Sequence, residues 1–208
     1  MSILTEREDD QLEIEGIGTY RVTCTFDRVL QWLGFLKGEH SSEEILQWSY
    51  SHFIEHPPDL PSEDRLLIVQ SIVDQHINPY QNSSGDQVDE TIPQPQYYDL
   101  VADADLIYAS FLQDYQIDLT KEIGRMSWHR FIALLNGLRD DTKFKQVVSI
   151  RQEPLPTGND RETIQARQSL LELKEIYALD TPENETYEQY KLTQSFINLR
   201  QKAKGMRT

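Results

Sequence analysis

Tyr97-Tyr-Asp-Leu-Val-Ala-Asp-Ala-Asp-Leu-Ile-Tyr-Ala-Ser-Phe-Leu-Gln-Asp-Tyr-Gln-Ile-Asp-Leu119 decides the fold class. Leu100, Ala104, Ile107, Tyr108, Phe111, Leu112 and Tyr115 return at the helical period, while Asp103, Asp105, Ser110, Gln113 and Asp114 fall on the other side. That spacing predicts an amphipathic helix. Just downstream, Met126, Trp128, Phe131, Ile132, Leu134, Leu135 and Leu138 form a second broad apolar face, and residues 116–122 can reverse the chain between the two. The expectation is an aromatic helical hairpin within a mainly α protein.

Upstream, Leu12 and Ile14 alternate with Glu13 and Glu15, and Tyr20, Val22 and Cys24 alternate with Arg21 and Thr23. Gly16 and Gly18 stand between the two runs, so a small N-terminal β-hairpin is predicted. It must pack on helices, because a lone two-stranded ribbon is marginal in water. Asp27 reads as the N-cap of a helix over 28–37, Ser41 or Ser42 as the start of one reaching about Glu55, and Pro61 as the opening of a third to Asn78. The fold class is therefore a helical bundle with a small N-terminal β-hairpin.

Pro79, Asn82, Ser83, Ser84, Gly85, Pro93 and Pro95 mark a surface linker. Beyond the aromatic hairpin come a short helix over 143–151, a break at Pro154 to Gly158, a polar helix from Asp160 to Leu179, and a last element from Pro182 to Met206. The expected division is 1–78 for hairpin and helices, 79–96 for the linker, 97–153 for the aromatic hairpin, and 154–208 for the C-terminal helices and a basic arm.

The net charge of −15 is unevenly spread. Residues 1–99 hold 19 acidic and 5 basic side chains, whereas residues 100–208 hold 16 and 15. Such an acidic half repels phosphate backbones and attracts basic partners. The final eighteen residues carry Lys191, Arg200, Lys202, Lys204 and Arg207 without one carboxylate side chain. They are candidates for a basic arm that meets an acidic surface, in the same chain or another copy, and supports self-association.

Catalytic patterns do not assemble. His52 and His56 stand four apart, the spacing that lets two imidazoles share a metal, but Glu55 is misplaced for a zinc-protease helix and Pro57 ends the helix there. Asp103 and Asp105 are two positions apart and diverge by about 200° on a helix, which suits a polar face better than an acid–base pair. His129 reads as a residue at the core edge or facing a partner. Neither a phosphate-cradling glycine loop nor a serine nucleophile elbow occurs, so neither enzymatic activity nor a metal or cofactor is expected. The lone Cys24 predicts a free packing thiol in a reducing compartment. No apolar run suggests a leader or a membrane span, so the expected partners are proteins, with neither nucleic acid nor membrane among them.

The wording of the central helices, Tyr98 to Leu119 followed by Met126-Ser-Trp-His-Arg-Phe-Ile-Ala-Leu-Leu-Asn-Gly-Leu138 and Asp141-Thr-Lys-Phe144, resembles the "gene product fifteen" family of tailed phages and prophages. The likeness covers most of the chain and is strongest from Tyr98 to Arg151. In such phages the gene usually lies between those of the major tail protein and the tape measure protein. The resemblance therefore implies a tail assembly chaperone in the host bacterial cytoplasm, one that keeps the tape measure protein soluble during tail morphogenesis. It brings no catalytic or ligand motif to carry over. As partner contacts the large aromatics Trp32, Phe35, Trp48, Trp128 and Phe131 are expected, with Lys191, Arg200, Lys202 and Lys204 of the basic arm. The alternatives are a structural tail subunit retained in the virion, or a small acidic regulator or counter-defence protein that binds a host enzyme.

Overall fold

A computed structural model describes residues 11–77 and 96–179. Nearly all of the expected linker, the last element from Pro182 to Met206, and Lys191, Arg200, Lys202, Lys204 and Arg207 lie outside the described residues. Within them the chain is mainly α, as expected. A hairpin of β1 (Gln11–Ile14) and β2 (Gly18–Arg21) precedes the helices α1 (Phe26–Leu36), α2 (Ser42–Phe53), α3 (Ser62–Ile72), α4 (Ala104–Tyr115), α5 (Trp128–Asn136), α6 (Lys143–Gln152) and α7 (Arg161–Ile176).

The hairpin is antiparallel with Leu12 opposite Tyr20. Gly16 and Gly18 make the reversal at φ 80° and 141°, where a side chain would be strained. Leu12 is buried and β1 rests near α3, which supplies the support that the ribbon needs. Past β2 the chain stays extended and uses its two backbone edges alternately. On one edge Glu55 N–H donates to Arg21 O (3.1 Å) and Thr23 N–H to Phe53 O (2.8 Å). On the other Trp128 N–H donates to Cys24 O (2.9 Å) and Phe26 N–H to Met126 O (3.0 Å). The period of two in an extended chain thus ties the end of α2 and the start of α5 to one short segment.

Because Phe26 N–H is held by Met126, α1 starts earlier than its sequence suggests. Its N-cap is Thr25, not Asp27, whose carboxylate accepts from Gly124 N–H at 2.9 Å instead. α2 begins as expected: Ser41 Oγ accepts from Glu44 N–H, and Glu44 reaches back to Ser41 N–H at 2.8 Å, a reciprocal cap. α3 ends in a π-helical turn, Val73–Ile77.

α4 starts well after Tyr97. Asp99 Oδ1 accepts from Val101 N–H (2.9 Å) and Ala102 N–H (2.7 Å), and Asp103 Oδ2 accepts from Asp99 N–H (3.0 Å). These local bonds hold the backbone in turns and compete with a helix. Asp103 and Ser110, expected on the outer side, are buried, whereas Leu112 is exposed.

The described residues form two compact units, 11–77 with 107–139, and 96–106 with 140–179. The aromatic hairpin does not stand as a segment of its own. In the first unit Phe131 of α5 stacks on Phe26 of α1 (5.1 Å between centroids), on Phe111 of α4 (5.3 Å) and on Trp128 (5.6 Å). Val29, Phe53, Ile68, Ile72 and Met126 fill the core around them. In the second unit α6 packs on α7 through Phe144, Val147 and Leu170. In α7 only Leu170 is buried; Ile164, Leu171, Leu173 and Ile176 are exposed.

Candidate functional site

Three of the expected partner residues come together on α1 and α2. Phe35, near the end of α1, lies against Trp48 of α2 with centroids 4.3 Å apart and planes within 12°. Trp48 lies on His52, one helical turn along, at 4.2 Å and 15°. On its other face Phe35 meets His40 at 3.9 Å and 11°. The result is a four-ring stack, His40–Phe35–Trp48–His52, with His40 exposed and the other three rings half-buried. Trp32 is set beside it: its ring meets Phe53 edge-on at 5.7 Å, and its Nε1–H donates to Ser49 Oγ at 2.9 Å.

The connection between the helices shapes this stack. A Cβ at Gly38 would come within 2.6 Å of His40 Nε2, so a residue without a side chain lets the imidazole lie over Phe35. At the far end, Arg28 Nη1 donates to His52 O, and His52 Nε2 lies 2.9 Å from Arg28 O. Burial lowers the His52 pKa below the ordinary value, and the nearby Arg28 cation acts in the same direction, although the bond to the Arg28 carbonyl works against them. The partly exposed rings form a strip along α1 and α2. Glu39, Glu43 and Glu44 lie on the loop and first turn between the two helices, so the strip has an acidic margin.

Trp128 and Phe131, expected among the partner contacts, sit in the core instead. They are 5% and 1% exposed, and the Trp128 Nε1–H donates to Ile77 O at 3.0 Å. His52 and His56 do not converge: the first is held to Arg28, and the second lies past α2 at φ 53°. Asp103 and Asp105 also diverge. Asp103 is buried and takes a bidentate pair from Arg151 at 2.7 and 2.9 Å, while Asp105 faces solvent. Arg151 also donates to Tyr97 O (3.0 Å) and Tyr177 O (2.6 Å), which makes it the polar hub of the second unit. His129 is half-buried. No group of three or more His, Cys, Asp or Glu side chains that could hold a metal occurs among the described residues.

The sequence reading missed the two histidines of the stack. Trp48 and His52 at i and i+4 were a readable signal, but His40 lies in a loop and reaches Phe35 only because Gly38 leaves room. Comparison with known families adds the setting: the family described as bacteriophage Gp15 protein matches over residues 8–179. The chain belongs to that family. No curated protein and no solved structure matches it. For this Gp15-family chain, the described residues include no helix long and apolar enough to cross a membrane.

Proposed function

We propose that this Gp15-family protein is a non-enzymatic tail assembly chaperone, which binds the tape measure protein and keeps it soluble until the tail tube forms around it. Family membership supports a phage setting, and the usual gene position in the family supports the tail. The observation that carries the binding role is the half-exposed ring stack of α1 and α2. An apolar strip with acidic neighbours suits a long partner helix that presents aliphatic residues on one face and basic residues beside them. A strongly charged exterior keeps copies apart while many line up along one extended chain.

The experiment is deletion of the gene in an infecting phage. The chaperone reading expects tailless heads and tape measure protein in the insoluble fraction, with the missing protein absent from wild-type virions. Normal tails and soluble tape measure protein in the deletion would overturn it. Stoichiometric recovery from purified virions would favour a structural subunit.

A further inference from the structure

The second unit has a thin core. Among its described residues the buried apolar side chains are Phe144, Val147 and Leu170, few for a unit that must hold itself together. Leu170 takes the inner side of α7, where Thr163, Arg167, Lys174 and Tyr177 are half-buried. Ala166, Ser169, Leu173 and Ile176 lie on the outer flank and are all exposed, Leu173 by 39% and Ile176 by 70%. They follow one another at three, four and three residues, the spacing of a coiled-coil seam, and so make one stripe along the helix.

The sequence beyond α7 carries a stripe that matches it. Leu192, Phe196, Leu199 and Ala203 recur at four, three and four residues. Run antiparallel to α7, a helix over this segment brings Leu192 level with Leu173, Phe196 with Ser169, and Leu199 with Ala166. Large side chains of the segment then meet small ones of α7, as close packing of layers requires. Glu162, exposed in the first turn of α7, comes level with Ala203, between Lys202 and Lys204, so the charges are complementary as well. The connection is long enough for this reversal: residues 177–191 reach about 50 Å when extended, against about 24 Å for the length of α7.

We propose that residues 192–203 of the same chain dock on the outer flank of α7, along Ala166, Ser169, Leu173 and Ile176, as an antiparallel helix that completes the core of the second unit. Covering Leu173 and Ile176 takes apolar surface out of water. The connection makes the contact intramolecular, so its effective concentration exceeds that of a second copy in dilute solution. The stripe uses one side of the segment, which leaves Lys191 and Arg200 off the seam. Docking involves neither α1 nor α2, so it stands or falls separately from the chaperone reading.

The test is disulfide closure in the full-length chain, with Cys24→Ala as the common background. Ala166→Cys/Leu199→Cys joins two positions that face each other across the seam, whereas Gln168→Cys/Leu199→Cys moves the first thiol about 160° around α7. Equilibrated with glutathione, the facing pair is expected to close within one chain at an effective concentration about tenfold or more above that of the other pair. Adding Leu192→Ser/Phe196→Ser to both pairs is expected to erase the difference. Ala166 and Gln168 are exposed and lie outside the described core, so wild-type helical circular dichroism is expected throughout. Equal closure of the two pairs, or a preference that survives Leu192→Ser/Phe196→Ser, would overturn the proposal. Disulfides that form between chains instead of within one would also overturn it, in favour of a second copy on this flank.

Discussion

Arg151 is the residue on which the second unit depends most. Its side chain is 10% exposed and that of Asp103 is 3% exposed, and the guanidinium also serves two backbone carbonyls. Removing one partner of such a pair strands a buried charge, so Arg151→Met and Asp103→Ala are each expected to cost about 3–5 kcal/mol in denaturant unfolding. Arg21→Ala, at an exposed pair 3.8 Å long, should cost under about 1 kcal/mol. Equal losses would show that Arg151 is not a hub. His52 gives a pH prediction of definite sign. Its pKa is lower in the folded than in the unfolded chain, mainly through burial, so below about pH 6.5 the unfolded chain binds more protons. Stability is then full above about pH 6.5 and falls as pH drops through the folded value. His52→Gln should flatten that part of a stability-versus-pH curve, and an unchanged slope would contradict the assignment. Asp103 shows why sequence could not supply the hub: helical spacing placed it outside, but Arg151, 48 residues later, takes it inside.

At the scale of elements, the aromatic hairpin was legible because ring-rich apolar positions recur at helical spacing. What it packs against was not, because the stack of Phe131 on Phe26 links positions over a hundred residues apart and no local pattern encodes that pairing. Phe111→Ala and Phe131→Ala should each lower stability by about 3–5 kcal/mol, and Asp105→Ala by far less. Matching small shifts in all three would mean that the core is misassigned. The start of α2 was readable from Ser41 and Glu44, since a capping box is a local signature. Ser41→Ala is expected to cost about 1 kcal/mol. The start of α1 was less readable: Asp27 is a good capping residue by type, yet a tertiary bond from Phe26 to Met126 moved the cap to Thr25. Of the candidate partner rings, Trp32, Phe35 and Trp48 converge. Trp128 and Phe131 could not be told from them by composition, because aromatic residues dominate cores and interfaces alike.

At the scale of the molecule, the division of charge remains a property of the whole chain and is best tested in solution. If the basic residues after Lys191 meet the acidic half of another copy, the mass seen by light scattering should fall between ~0.05 and ~0.5 M salt, as the screening length shrinks from above 10 Å to below 5 Å. Truncation after Lys191 should have the same effect, whereas one unchanging mass would make these charges mere solvation. The central claim is that the ring stack of α1 and α2 holds the tape measure protein in solution. Its most direct test is coexpression of the tape measure protein with the wild-type chain, with Phe35→Ala/Trp48→Ala, and with no chaperone, followed by measurement of the soluble tape measure fraction. The account predicts a high soluble fraction with wild type and a fall toward the chaperone-free level with the double variant, whose helical circular dichroism stays intact. Tape measure protein equally soluble in all three would contradict it.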